Sequence, residues 1–433
     1  MDNQTFNTNV KSLGPAKYIS PLEHTIFIDD CMRILYSVAI NDCKKYIDGR
    51  EKPVTFEQAG PRKEIFFNPQ ETKSAIVTCG GLCPGLNNVI CSIVWLLYYG
   101  YGVKDCIGFR YGYKGLAAND DSGYINLTPD VVSEIHTDGG SILSSSRGPQ
   151  DIGCMVDNLV RLNVDILFVL GGDGTMRGAL DIVKEVEKRG LKISVIGIPK
   201  TIDNDIKFIS KSFGFETAFS SASEAIHSAH TESRGAQFGI GLVKLMGRHS
   251  GFIAANASLA QKDVNFCLIP EIDFDLTGEK GLLNQLRKRL IARDHAVIVV
   301  AEGAGQRFLD QDNKTDESGN KKLGDIGVFL KQQFTNYFDD IDLPVTVKYI
   351  DPSYIIRAVP AIPAERVFCG LLANNAVHAA MAGKTGTIIG IRNNMFIHVP
   401  IGTAIMERKH VNPEGNLWQC VLASTGQGCL VND

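Results

Sequence analysis

No apolar run in this sequence is long and uninterrupted enough to cross a bilayer; the longest, such as Val89 to Tyr99, are short and broken. No membrane partner is therefore expected. A broad positive field is missing too, because the formal net charge is −4, and nucleic acid gets no electrostatic support as a partner. Any anionic ligand must find its positive charge locally. The eleven cysteines lack paired C-x-x-C spacing and are odd in number, which fits a reducing compartment better than a disulfide framework. Most are expected to be small buried hydrophobes. The start, Met1-Asp2-Asn3-Gln4, has no basic stretch leading into an apolar one, so a cytoplasmic protein is expected. There is no repeat at solenoid period.

What is present is enough for a large core. Apolar residues make up 44% and charged residues 21%, too apolar for disorder, and 433 residues exceed what one core usually organises. Two lobes with extensions are expected. Residues 1–72, with Pro15, Pro21, Pro53 and Pro61 and no glycine loop of the phosphate-binding kind, read as an N-terminal extension. From Ser74 the pattern becomes strand (Ala75–Thr78), glycine loop, then helix. It recurs at Asp165–Leu170, followed by Gly171–Thr175 and a helix that places Ala179, Ile182, Val183 and Val186 on one face and pairs Glu185 with Arg189 on the other. Further strands read at Ile193–Ile198 and Ala296–Ala301. This alternation predicts an α/β fold of two Rossmann-like lobes, with parallel sheets flanked by helices, over 73–207 and 208–375. Residues 376–433 are expected to pack back on them. Asp310–Lys322 is polar throughout and reads as an exposed, mobile loop.

In such folds ligands collect beyond the carboxyl ends of strands, and three loops there carry candidate chemistry. Cys79-Gly80-Gly81-Leu82-Cys83-Pro84-Gly85 lets backbone approach phosphate oxygens before a helix start, although a glycine turn between strand and helix is also a common structural device. It is no Walker A loop, since no Gly-Lys-Ser/Thr follows. Gly171-Gly172-Asp173-Gly174-Thr175 offers a carboxylate for a metal and a glycine that leaves room for phosphates; a tight turn capped by aspartate is the plainer alternative. Pro199-Lys200-Thr201-Ile202-Asp203-Asn204-Asp205 concentrates two carboxylates, a lysine, a threonine and an asparagine just after an apolar strand. If that loop is extended, Asp203 and Asp205 share a side. Lys200 or a metal would keep Asp203 ionised, ready to accept a hydroxyl proton.

Together with Met246-Gly247-Arg248-His249-Ser250-Gly251, these stretches resemble the 6-phosphofructokinase family over about Ala75 to Gly386. Lipid and NAD kinases share a GGDGT loop but would not be expected to carry the third and fourth motifs. The resemblance implies a cytoplasmic, glycolytic kinase that moves a phosphoryl group from ATP, with Mg²⁺, to the 1-hydroxyl of fructose 6-phosphate, with ATP bound in the first lobe and sugar in the second. It implies Asp203 as base and Thr201 and Asp205 as positioning groups. Asp173 would serve the metal, and Gly81, Arg147 and Lys200 would stabilise the transferring phosphoryl. Tyr111, Gly172, Gly174 and Thr175 would complete the nucleotide site. For the sugar it implies Met246, Gly247, Arg248 and Glu302, with Lys348, Tyr354 and Arg357 on the 6-phosphate. A homo-oligomer, dimer or tetramer, is expected from the same resemblance.

The family divides between ATP and pyrophosphate donors. Gly174 favours ATP, because pyrophosphate enzymes typically carry aspartate there, whose charge would repel a nucleotide. Lys200 points to pyrophosphate, and the combination resembles long-chain ATP enzymes that appear related to the pyrophosphate type. Where compact bacterial members place an arginine that reaches a neighbouring site, this chain has Gly239, with Arg234 nearby, so their allosteric scheme does not carry over. A non-catalytic regulatory subunit is a remaining reading, opposed by retention of Asp173, Asp203 and Asp205.

Overall fold

A computed structural model of the chain describes residues 6–118, 120–309 and 322–433. The polar stretch 310–321 lies outside the described residues; Lys322, at its end, is exposed. The chain divides into two compact units that do not follow linear order. Unit 1 holds Met1–Thr201, Ile206–Gly214 and Pro360–Arg408; unit 2 holds Ile202–Asp205, Phe215–Val359 and Lys409–Asp433. The expected division at 207 and 375 is thus replaced by an interleaved one.

Unit 1 is built on a nine-stranded sheet whose centre is parallel. Ser194–Pro199 pairs in parallel with Ile166–Gly171, which pairs in parallel with Lys73–Thr78, and that strand in turn with Asp105–Phe109. All of Ile166–Gly171 and Ser194–Pro199 is buried, as strands covered on both faces require. The helix Asp173–Lys188 lays Ala179, Ile182, Val183 and Val186 against this sheet as its periodicity predicts, while Arg189 bonds Glu185 at 2.8 Å on the wet side.

The expected α/β fold of parallel sheets flanked by helices is present, and the first sheet carries antiparallel additions at its edges. The sheet is mixed, because Tyr124–Asn126 runs antiparallel at one edge and Met395–Pro400, Thr55–Gln58 and Arg33–Leu35 run antiparallel at the other. The tail beyond 375 is shared between the units, to Arg408 in unit 1 and from Lys409 in unit 2. Its strand Thr387–Arg392 joins the parallel ladder beside Ser194–Pro199, with Thr387, Ile388 and Ile389 wholly buried. Residues of the N-terminal extension likewise supply sheet strands, since Thr55–Gln58 finds its partner in Met395–Pro400.

That edge is fastened by a polar network in which Glu57, Arg62, Lys384 and His398 are buried and Asp30 is exposed. Arg62 bonds Asp30 (2.7 Å) and Glu57 (2.9 Å), and Lys384 reaches the same two carboxylates at 3.0 Å. The His398 ring lies 3.0 Å from Glu57. Burial alone would push the Glu57 carboxyl up, but the His398 bond and the Lys384 charge hold it down at about 2.

Unit 2 carries a four-stranded, wholly parallel sheet in the order Phe266–Leu268, His295–Ala301, Gly239–Leu245, Thr346–Ile350. Its core joins Ile240, Leu242, Ile298 and Val300 to Leu286 and Leu290 of the helix Leu282–Arg293 and Phe334 and Phe338 of Ile326–Asp340. Gly239 is fixed by packing, because a Cβ there would stand 2.0 Å from the Ser233 carbonyl. Six of the eleven cysteines are buried and all are free thiols. Among the described residues no helix is long and apolar enough to cross a membrane.

Removing one member of a buried charged network strands the others, so Glu57→Gln should lower unfolding stability by about 3 kcal/mol at neutral pH in denaturant titration. A depressed carboxylate stabilises only while ionised. The gap between wild type and variant should therefore be full above the usual glutamate value of 4.5 and close as the pH falls toward about 2.

Candidate active site

In unit 1 the parallel register brings four loops to one edge of the sheet. They follow Asp105–Phe109, Lys73–Thr78, Ile166–Gly171 and Ser194–Pro199, in that spatial order. From Lys73–Thr78 the chain builds outward to one side, then returns to place Ile166–Gly171 on the other, so a topological switch point lies between those strands. The loops beside it are Cys79–Gly81 and Gly172–Thr175.

Lys200 joins the loops across this edge. It is buried, its backbone N–H donates to the Gly171 carbonyl (3.0 Å), and its ammonium donates to the Gly81 carbonyl at 2.6 Å. Gly80, at φ +87°, accepts at its carbonyl from Ser145 Oγ (2.6 Å) and donates its N–H to the Ser146 carbonyl (3.0 Å). Ser146 Oγ in turn donates to the Tyr111 carbonyl at 2.5 Å. These bonds fix the Ser145–Arg147 turn against the glycine loop, leaving the Arg147 side chain exposed. Tyr111, at φ 57°, keeps half its surface in solvent and is not packed away as a strand-end aromatic. Arg110 lies 5.5 Å from its ring, with Nε buried and without a hydrogen-bond partner among the described residues. The neighbouring Cys79 is no nucleophile, since burial pushes its thiol up to about 12.

The glycines of Gly171–Thr175 differ in cause. A Cβ on Gly171 would stand 2.2 Å from Thr175, so packing demands glycine there. On Gly172 it would meet only ordinary contacts, 3.5 Å from the Lys200 carbonyl. On Gly174, which lies within the helix Asp173–Lys188, it would meet nothing within 4 Å. Neither the backbone nor the packing explains Gly174. Thr175 is buried, and its carbonyl accepts from Tyr113 Oη at 2.8 Å.

Asp173 opens that helix, where a negative charge is favoured. Its carboxylate accepts from Arg177 (3.3 and 3.4 Å) and Arg408 (3.2 Å), long bonds for charged partners. Sequence reading missed both arginines. Arg177 was legible as the i+4 neighbour of Asp173, whereas Arg408 lies 235 residues away and left no local signal. Among the described residues no three metal-ligating side chains cluster. A lone carboxylate suits Mg²⁺ arriving with phosphates, since that ion keeps most of its waters.

The segment after Lys200 is not extended. Ile202 and Asp203 form a turn and Asn204 is left-handed at φ 54°, so strand alternation does not govern Asp203 and Asp205. Thr201, in unit 1, accepts at its carbonyl from Ser212 Oγ (2.6 Å). Asp203, in unit 2, accepts at its carbonyl from Ser250 Oγ (2.9 Å), while Asp205 is buried.

In unit 2 the loops after Gly239–Leu245 and His295–Ala301 are locked together. Glu302 N–H donates to the Leu245 carbonyl (2.8 Å) and Gly303 N–H to the Gly247 carbonyl (3.1 Å). Gly247 is at φ +130°, and a Cβ on Gly303 would stand 2.0 Å from the Arg248 carbonyl, so neither tolerates a side chain. Met246, Arg248 and Glu302 are half-buried in this pair of loops. Burial raises the Glu302 carboxyl above the usual glutamate range, against the opposing charges of Arg248, Lys244 and Arg357. Lys244, also missed in the sequence, bonds Asp351 (2.8 Å) and Asp325 (3.2 Å). The Arg357 guanidinium lies 5.1 Å from the ring of Tyr354, which is 80% exposed. Lys348 stands apart: it is on the strand Thr346–Ile350 rather than a loop, and pairs at 3.5 Å with Glu232.

Residues 73–380 match the family described as phosphofructokinase. The ATP-dependent 6-phosphofructokinase of Borreliella burgdorferi is 48% identical over 439 residues, 98% of either chain. The ATP-dependent 6-phosphofructokinase of Trypanosoma brucei brucei is 49% identical over 377 residues, 85% of this chain and 76% of its own. Among solved structures, the pyrophosphate-dependent phosphofructokinase of Marinobacter aquaeolei superposes with a TM-score of 0.67 at 19% identity, over 82% of this chain and 92% of that one. At that identity the likeness speaks for the fold alone. With the profile spanning most of the chain and near-half identity running almost end to end, the chain belongs to the phosphofructokinase family.

Proposed function

We propose that the protein is an ATP-dependent 6-phosphofructokinase, transferring the terminal phosphoryl group of ATP to the 1-hydroxyl of fructose 6-phosphate. One observation carries the reading: the Lys200 ammonium sits on the Gly81 carbonyl beside the switch point, in covalent continuity with Asp203 three residues on. A single short segment thus carries both a cation for the donor phosphates and a base for the acceptor.

On this reading Gly81, Gly172 and Thr175 lie along the donor phosphates, Tyr111 lies on the adenine side, and Gly174 leaves room for the nucleotide. Arg147 and Lys200 take up charge on the transferring group. Asp203 accepts the hydroxyl proton, and Thr201 and Asp205 hold acceptor and base in line. Met246, Gly247, Arg248 and Glu302 hold the sugar ring, with Tyr354, Arg357 and Lys348 toward the 6-phosphate; Lys348 must exchange Glu232 for that dianion. Asp173 would hold Mg²⁺ through its waters, and the ion when bound would neutralise charge between the donor phosphates. The long Arg177 and Arg408 bonds make the Asp173 carboxylate exchangeable.

Lys200 also favours a second reading, pyrophosphate as donor. Turnover of the purified protein with ATP and with pyrophosphate at matched magnesium decides between them, with the ATP rate expected to be the greater. Because a side chain at position 174 meets open space, Gly174→Asp should fold as wild type does. It should cut ATP-driven turnover roughly tenfold or more while sparing any pyrophosphate activity.

Asp203→Ser should lower kcat by about 10²- to 10⁴-fold with the KM for fructose 6-phosphate little changed. Near-normal turnover would remove Asp203 as base. Glu302 supplies a pH signature: with its carboxyl raised, it loses its acceptor charge above the range where an ordinary glutamate does. As pH falls through that range, the wild-type KM for the sugar should rise more steeply than that of Glu302→Gln, which cannot titrate there.

A further inference from the structure

Residues 203–205 form a non-extended loop that must nevertheless present one carboxylate accurately, and within unit 2 each of the three is held by a bond from outside the loop. Ser250 Oγ donates to the Asp203 carbonyl at 2.9 Å. The other two are held by one residue. Lys409 donates its ammonium to Asn204 Oδ1 (3.0 Å) and its backbone N–H to the Asp205 carbonyl (2.8 Å). Asn204 is buried and left-handed at φ 54°, a conformation that asparagine adopts more readily than most residues bearing a Cβ, because its short polar side chain hydrogen-bonds locally.

Lys409 is itself well placed to act as a clamp. Its ammonium lies 5.1 Å from the Phe252 ring, at the start of the helix Phe252–Gln261. The chain on its far side is tethered as well: His410 Nδ1 is 2.8 Å from the His249 carbonyl, and Val411 N–H donates to Glu271 (2.8 Å). Glu271 also accepts from Gly251 N–H at 3.0 Å. The segment Lys409–Val411 is thus bonded to both the loop that carries Asp203 and the loop that follows Gly239–Leu245.

We propose that Lys409 is a positioning residue for phosphoryl transfer: by pinning Asn204 and Asp205 it fixes the turn that aims the Asp203 carboxylate, without touching either substrate. The inference rests on Asp203 being the base. Misplacing a reacting group by about 1 Å can cost about 10²-fold in rate, so a loss of that order is expected when the clamp is cut.

The test measures kcat and KM for both substrates in Lys409→Met, Lys409→Arg and Asn204→Gly, and in Lys409→Met combined with Asp203→Ser. Lys409→Met should lower kcat roughly 30- to 100-fold with both KM values within about twofold, and Lys409→Arg should recover most of that loss. Asn204→Gly removes the side-chain acceptor while tolerating the left-handed backbone, so it should show the same kcat loss and carries the test if Lys409→Met does not fold. Added to Asp203→Ser, Lys409→Met should cause no further loss, because it acts through the carboxylate already removed. The proposal is overturned if Lys409→Met and Asn204→Gly keep kcat within about threefold, if the loss falls on the sugar KM, or if the double variant is slower than Asp203→Ser alone. Retained turnover in Asp203→Ser would instead count against the functional reading itself.

Discussion

Strands buried on both faces leave the chain few places for polar chemistry, and in unit 1 the parallel register gathers those places on one edge. Ile166–Gly171 and Ser194–Pro199 are buried throughout, so every polar group between them and the following helices falls in the loops at their carboxyl ends. Lys200 depends on that constraint. Its backbone finishes the ladder by donating to Gly171, and this places its ammonium on the Gly81 carbonyl. On the proposed reading that cation, at the edge where the helix Asp173–Lys188 begins, serves the donor phosphates.

Unit 2 uses the same economy with a different result. Its loops approach so closely that Gly247 and Gly303 have no space for a side chain, and Glu302 is desolvated among Arg248, Lys244 and Arg357. Gly174 is the informative contrast. Glycine is forced at 171, 247 and 303 by the protein's own atoms, whereas at 174 nothing among the described residues lies in the way. On the proposed reading, the space at 174 is kept for the nucleotide.

Much of this was legible from residue order. Apolar runs ending in glycine or polar clusters located the strand ends and the loops beyond them, and helical spacing gave the buried face of Asp173–Lys188. What was not legible came from contacts distant in sequence. The antiparallel edge of the unit 1 sheet depends on residues 33–58 meeting residues 395–400. The tail strand Thr387–Arg392 enters the ladder because its apolar residues need two covered faces, which local pattern cannot assign to a partner. The assumption of an extended loop at 203–205 failed at Asn204, whose left-handed backbone is held by Lys409, 205 residues away. Arg408 on Asp173 and Glu232 on Lys348 were hidden in the same way.

In the proposed function one segment, Lys200 to Asp203, serves a direct transfer from donor to sugar with no phosphorylated protein in between. Transfer from ATP made chiral at its terminal phosphorus with oxygen isotopes, followed by stereochemical analysis of the sugar bisphosphate, reads this directly. A single in-line displacement gives inversion at phosphorus. Retention would mean two displacements through a phosphorylated residue, and the roles assigned to Lys200 and Asp203 would fall.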